Sequence, residues 1–203
     1  MNRIQWFYQN IAKRDLLYKF NTINIHQIPE LQNVFLQVNT KNTLVDKTQI
    51  LPLLTGLEML SGQKMKKTYA KKSIAAFKLR KGHILGAAGT LRNEKMFYFL
   101  EKLFFVAFPK NKEFLKLQFP HSLEKRQTFH KNAEVISVKK TKYIKSAFTF
   151  SGNSFLLYPE LENHYELFDA VKGFDVTLII KTPEFTKQYP IKGTQILLSF
   201  FVP

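Results

Sequence analysis

Cysteine is absent from the 203 residues. That removes disulfides and thiolate metal sites, and it fits a chain that does not depend on an oxidising compartment. Long apolar runs are absent too. The longest, Leu103–Phe108 and Ile196–Val202, are the size of core elements and fall far short of the roughly 20 residues of a membrane span. Acid is scarce, with 15 Asp or Glu against 31 Lys or Arg and a formal net charge of +16. The groups that carry chemistry are sparse or badly spaced. His26, His83, His121, His130 and His164 never fall at metal-ligand spacing with a carboxylate or another histidine. Glu160, Glu162 and Glu166 can share a helix face, but without a cleft such carboxylates are a solvated surface. There is no phosphate loop and no nucleophile elbow, and Gly82, Gly86 and Gly89 are too sparse for a nucleotide fingerprint. We therefore expect no enzyme, no metal site and no cofactor.

What the chain does have is apolar mass and one block of positive charge. A hydrophobic share of 45% with 20 Phe supplies a core, so wholesale disorder is excluded. The length suits one domain, or one domain with an insertion. Residues 61–145 hold 21 Lys or Arg against five acids, whereas the remaining chain holds ten of each. One electropositive block on a balanced scaffold is the footprint of a nucleic-acid binder. Its densest part, Ser61 to Arg92, has nine cations (Lys64, Lys66, Lys67, Lys71, Lys72, Lys78, Arg80, Lys81, Arg92) and no acid. Solvated surfaces normally mix both signs. Here a polyanion is the simplest reason for one sign, because Lys and Arg release condensed counterions from phosphates. The bland alternative is a lysine-rich surface that keeps the protein in solution.

Periodicity gives the element order. Arg3–Phe20 reads as a helix, with Ile4, Phe7, Tyr8 and Ile11 at three- and four-residue spacing. Such a basic N-terminus resembles a mitochondrial presequence, but Asp15 interrupts its basic face and presequences are poor in acids. We expect it to be mature protein. Val34, Leu36 and Val38 alternate with Phe35 and Gln37 as a strand does. Asp46 with Gln49 offers a capping box for a helix through Leu60, carrying Leu53, Leu54, Leu57 and Leu60 on one face and stopping at Gly62. Pro52 can push the start of that helix later. A strand Met65–Ala70, a mobile loop or short helix Lys71–Arg80, and a returning strand Ile84–Arg92 follow. Ile74 and Phe77 are expected to anchor that loop to its own domain. Asn93 can cap the next helix, whose stripe is Met96, Phe97, Leu100, Leu103, Phe104 and Ala107 and which Pro109 ends. Gln118–Ser146 is polar and basic with little periodicity, an inserted or remodelled loop that RNA or a neighbouring protein would order. Asp175–Lys181 reads as a buried strand. The order implies an α+β fold: an antiparallel β-sheet with helices mainly on one face and a basic loop projecting from one edge.

The pattern G-Q-K-x-x-x-T-x-A-K-K-S-I-A-x-F-K-L-R-x-G, Gly62 to Gly82, with T-L-R at Thr90 to Arg92, resembles the ribosomal large-subunit protein five family. The resemblance extends over residues 1–117 and 155–182, and Tyr158 to Ile180 looks most like mitochondrial members. It implies a single ribosomal-protein domain over 1–203 with a changed loop at 118–146. It also implies a structural role in the large ribosomal subunit, binding 5S or substituting ribosomal RNA in the central protuberance. Further partners would be large-subunit ribosomal RNA, peptidyl-site transfer RNA, neighbouring central-protuberance proteins and a small-subunit head protein across the intersubunit bridge. By position, Gln63, Thr90 and Arg92 match family residues associated with 5S RNA, with Lys64 beside them. Gln37 stands where the family has Asn. Lys71, Lys72, Lys78 and Arg80 match the loop that reaches transfer RNA. A matrix ribosome is the expected location, with a plastid as the alternative. The other functional readings are a stand-alone RNA-binding regulator or chaperone, and adhesion of the basic face to anionic membrane.

Overall fold

The computed structural model describes residues 2–20, 24–40, 42–44, 46–110, 143–169 and 171–183. The chain forms two compact units. One comprises Met1–Asn33, Arg92–Phe148 and Leu178–Pro203, and the other Val34–Leu91 and Thr149–Thr177. Of the expected remodelled loop, residues 118–142 lie outside the described residues, as do 184–203.

In the first unit, helix α1 (Arg3–Phe7) passes through a wide π-helical turn, Tyr8–Ala12, into α2 (Lys13–Phe20). Asn2 caps α1, its Oδ1 accepting from the Ile4 N–H at 2.9 Å. The buried stripe is Ile4, Tyr8, Ala12 and Leu16, while Ile11, expected in it, is exposed. In a regular α-helix each step of four residues overshoots a turn by about 40°. The wider π turn absorbs part of that overshoot, so a stripe of strict fours stays on one face. Tyr8 ties this helix to the chain that follows. Its hydroxyl accepts from the Leu31 N–H at 3.2 Å, its ring lies 5.7 Å from that of Phe97, and the Lys13 ammonium sits 5.2 Å from the ring centre. Burial raises the phenol pKa, against the Leu31 hydrogen bond and together with the nearby Glu30 charge. The hydroxyl therefore stays protonated. Tyr8→Phe should leave the buried Leu31 N–H without this acceptor and lower stability by about 1–3 kcal/mol. Urea unfolding checks it: an unchanged midpoint would show that the bond contributes nothing.

Helix α4 (Asn93–Lys102), a second π turn Leu103–Ala107 and α5 (Phe108–Lys110) continue this unit. Met96, Phe97, Leu100, Leu103, Phe104 and Ala107 are all buried as expected, with Phe99 added. Two end signals differ from expectation. Arg92 holds the cap position with no side-chain capping bond, and Asn93 adopts φ 51°, a left-handed conformation that Asn tolerates. Helical structure also runs through Pro109 to Lys110.

The strands form one five-stranded sheet in the order β2-β3-β1-β5-β4. They are β1 (Glu30–Asn39), β2 (Lys66–Tyr69), β3 (Ile84–Leu91), β4 (Tyr143–Ser154) and β5 (Lys172–Pro183). β4 begins at Tyr143, so the last four residues of the expected loop are strand. β1 and β2 both pair antiparallel with β3. Hydrogen bonds between Thr149 and Thr177 at 3.0 Å and from Ser151 to Asp175 at 2.6 Å place β4 antiparallel to β5. In β1, Val34, Leu36 and Val38 are buried and alternate with half-buried Phe35 and Gln37. Leu31 is buried as well, so the alternation changes phase between Leu31 and Val34, where the chain passes between units. β5 alternates too: Phe174, Val176, Leu178 and Ile180 are buried and the residues between them half-buried. It is covered on one face, not two.

In the second unit, helix α3 (Ile50–Ser61) lies on the sheet, following a tight turn at Lys47–Gln49. Asp46 makes no side-chain capping bond, so the expected capping box does not form. Gly62 ends the helix at φ 64°, its N–H donating to the Glu58 carbonyl at 2.8 Å. Leu53, Leu57 and Leu60 are buried, with Leu54 half-buried. Gly56 gives α3 a flat patch: a Cβ there would lie 2.8 Å from the Phe155 ring. Phe155 in turn contacts Phe168 and Phe174 at 6.4 and 5.2 Å between ring centres. The short helices α6 (Pro159–Glu162) and α7 (Tyr165–Phe168) complete this layer. The result is the expected α+β architecture, an antiparallel sheet with α3, α6 and α7 on one face.

Candidate nucleic-acid interface

The second unit's other sheet face is polar, and strand register shows how it is built. Directly opposed residues in an antiparallel sheet share a face. Gln37 opposes Ala88, which opposes Lys66. Phe35 opposes Thr90 in the next row, and Asn39, Gly86 and Thr68 form the row beyond. In these three rows the middle strand contributes Thr90, Ala88 and Gly86, so their centre is a low floor between taller edges. Gly86 is required there. A Cβ on it would collide with the Val38 carbonyl oxygen and come within 2.7 Å of Asn39 Oδ1. Across that gap the Thr68 hydroxyl donates to Asn39 Oδ1 at 3.3 Å.

Gln63 lies in the turn after α3, its amide near Gly89 at the side of the sheet opposite Thr90 and Ala88. Its N–H donates to Ser61 Oγ at 3.3 Å, and the Met65 N–H donates to Glu58 Oε1 at 3.0 Å. The Gln63 side-chain amide donates to the Thr90 carbonyl at 3.0 Å. That bond joins two of the expected RNA residues and uses one of the amide's two N–H groups. The other N–H and the carbonyl oxygen keep their capacity for a ligand. Lys64 is exposed two residues before Lys66. Thus Gln37, Gln63, Lys64 and Thr90 all belong to the second unit. Arg92 follows β3 by one residue, is exposed, and begins the other unit's second segment. Register also brings Asn39 and Thr68 to this face, which the sequence reading left out, and Lys66, which it counted only as part of the basic block. The period-two run 64, 66, 68 was the available signal.

β2 is an edge strand, and the hairpin that joins it to β3 carries Lys71, Lys72, Lys78 and Arg80, all exposed. This loop is closed by its own hydrogen bonds. Ile74 and Leu79 exchange N–H to carbonyl bonds of 2.9 and 3.1 Å around a tight helical turn, Ala75–Phe77. The Lys81 N–H donates to Ser73 Oγ at 2.9 Å, and the Gly82 N–H donates to the Ala70 carbonyl at 3.0 Å. Ile74 and Phe77 do not anchor the loop to the domain, contrary to expectation. They are 43% and 68% exposed, and among the described residues no element is laid over the hairpin tip. None of the nine cations between Ser61 and Arg92 is ion-paired among the described residues. His26, His83 and His164 join no cluster of three metal-ligating side chains among the described residues.

A polar sheet face edged by a one-signed, self-closed hairpin has the charge distribution of a nucleic-acid-binding structural protein. Residues 24–80 match the family model described as "Ribosomal protein L5". The chain is 33% identical over 201 residues to "Large ribosomal subunit protein uL5m" of Reclinomonas americana, covering 99% of this chain and 96% of that one. It is 33% identical to the uL5m protein of Prototheca wickerhamii, covering 98% and 82%. It is 30% identical to "Large ribosomal subunit protein uL5" of Mycoplasma pneumoniae, covering 90% and 89%. The chain belongs to the ribosomal protein L5 family, whose members are ribosomal structural proteins and not enzymes. Its uL5m relatives make it a protein of the mitochondrial ribosome.

Proposed function

We propose that the protein is a structural constituent of the large subunit that holds 5S or substituting ribosomal RNA in the central protuberance. In this reading the polar sheet face is the RNA surface, with Gln37 and Thr90 on it, Gln63 and Lys64 in the adjoining turn before β2, and Arg92 beside the end of β3. An amide, a hydroxyl and a guanidinium suit non-helical RNA, since together they address phosphates, base edges and 2′-hydroxyls. The basic hairpin contacts peptidyl-site transfer RNA through Lys71, Lys72, Lys78 and Arg80, which hold phosphate without reading sequence. Large-subunit ribosomal RNA, neighbouring central-protuberance proteins and a small-subunit head protein are the remaining partners. The observation that supports this most is the run of nine cations between Ser61 and Arg92, none of them ion-paired among the described residues, on and beside the β2–β3 hairpin.

RNA affinity should fall with salt at a log–log slope of roughly −0.7 to −0.9 per neutralised phosphate. Arg92→Ala should weaken 5S-type RNA binding by about 1–3 kcal/mol, the range of a well-made bidentate contact. Filter binding across a salt series measures both. A salt-insensitive affinity, or Arg92→Ala binding like the parent, would overturn the assignment. Sedimentation apart from large-subunit particles would point instead to a stand-alone RNA-binding regulator.

A further inference from the structure

We infer that Phe77 is an apolar contact residue of the hairpin, and that it stacks on an uncovered nucleobase of the RNA the hairpin touches. This rests on the hairpin's assignment to transfer RNA. Within residues 71–82 the cations are Lys71, Lys72, Lys78, Arg80 and Lys81, and there is no acid. In their midst Phe77 has no polar atom to justify its 68% exposure, and Ile74 on the same turn is 43% exposed. The turn is fixed by main-chain bonds from Phe77 N–H to the Ile74 carbonyl at 3.3 Å and from Lys78 N–H to the Ala75 carbonyl at 2.9 Å. Phe77 therefore stands at a set place on the backbone before any ligand arrives.

The ligand's chemistry follows from this combination. A surface that accepts five cations and also offers a flat apolar face is the surface of an RNA loop, where phosphates flank a base that nothing covers. Aromatic side chains recognise such bases by stacking, independently of sequence because every base has a π-face. A protein partner would need acidic side chains arranged around an apolar pocket, and Phe77 on a convex tip with one small neighbour, Ile74, has little of the area that protein docking uses. Charge and stacking then divide the work. The cations supply a term that salt weakens, and Phe77 supplies one that salt leaves nearly unchanged.

The experiment uses assembled mitochondrial ribosomes carrying the full-length protein, with deacylated transfer RNA in the peptidyl site as the probe. Its dissociation rate is followed across a salt series. Phe77→Ala should speed release about tenfold at every salt concentration, at the low end of base–aromatic stacking, without changing the salt slope. Phe77→Trp should restore retention. A parallel variant with Lys71, Lys72, Lys78 and Arg80 changed to Glu should lose retention and flatten the slope. If that charge variant releases transfer RNA while Phe77→Ala holds it like the parent, the stacking inference is overturned and the hairpin assignment survives. If neither variant changes retention, the hairpin assignment itself is wrong and the inference falls with it. Failure of Phe77→Trp to rescue would also overturn stacking. So would loss of subunit joining with transfer RNA retained, which would indicate a protein partner.

Discussion

Gly86→Ala is expected to destabilise the protein by about 3 kcal/mol or more, in the range where a single change threatens folding. The added methyl meets backbone, not a side chain that can swing away: the Val38 carbonyl oxygen stands where it must go, with the Asn39 Cα 2.9 Å off. Gly86 pairs with Asn39 on one side and Thr68 on the other, so β1 would have to separate from β3 and the Thr68–Asn39 bond would be lost. Two other glycines calibrate the effect. At Gly89 a Cβ would strike the Met65 sulfur, and a thioether can move by changing rotamer. At Gly62 the space is open but φ is 64°, so alanine there should cost only about 1 kcal/mol of left-handed strain. Chemical denaturation monitored by circular dichroism ranks the three. A Gly86→Ala protein unfolding at the parent's midpoint would mean that the register described for β1 and β3 is incorrect.

Changing Lys71, Lys72, Lys78 and Arg80 together to Glu is expected to weaken peptidyl-site transfer RNA on the order of a hundredfold at low salt, with large-subunit assembly intact. Four attractions are replaced by four repulsions, and at a few tenths of a kcal/mol for each exposed charge the total approaches 3 kcal/mol. The hairpin itself should survive, because its closing bonds run through main chain and the Ser73 hydroxyl and none uses the four charged groups. Lys78 sits at φ 53°, a conformation no harder for Glu than for Lys. Sucrose-gradient profiles report assembly and filter retention reports transfer RNA. Ribosomes that assemble and hold transfer RNA as the parent does would remove the hairpin from that contact. Subunits lacking 5S-type RNA would show that these cations serve the sheet face instead.

Most of the scaffold was legible because burial on one face writes a period into the sequence. The alternation at Val34, Leu36 and Val38, the leucines of α3 and the stripe from Met96 to Ala107 are all of that kind. The β2–β3 hairpin was legible within a residue or two, since its strands end where charge or glycine takes over. The misses have other causes. A π turn adds no residue type of its own, so nothing in Tyr8–Ala12 announced that Ala12 and Leu16 would be buried in place of Ile11. Caps depend on rotamer and exact position: Asp46 holds a cap position without making the bond, and Asn93 falls one residue past the cap held by Arg92. Ile74 and Phe77 were misplaced because an apolar side chain says only that it prefers to leave water. It does not say whether its cover comes from its own domain or from a partner. Residue identity singled out Gln63 and Thr90 but could not show that one donates to the other.

The self-closure of the hairpin has a consequence for timing. A loop that had to fold around each incoming ligand would add a conformational step to every encounter and another to every departure. Here the turn at Ala75–Phe77 and the paired bonds of Ile74 and Leu79 are already in place. Arrival is then governed by diffusion and long-range attraction to the cations, and departure by how quickly a few surface contacts let go. Under the proposed contact with transfer RNA, a partner gripped and surrendered once per amino acid added would meet a fixed post, and the post would impose no delay of its own.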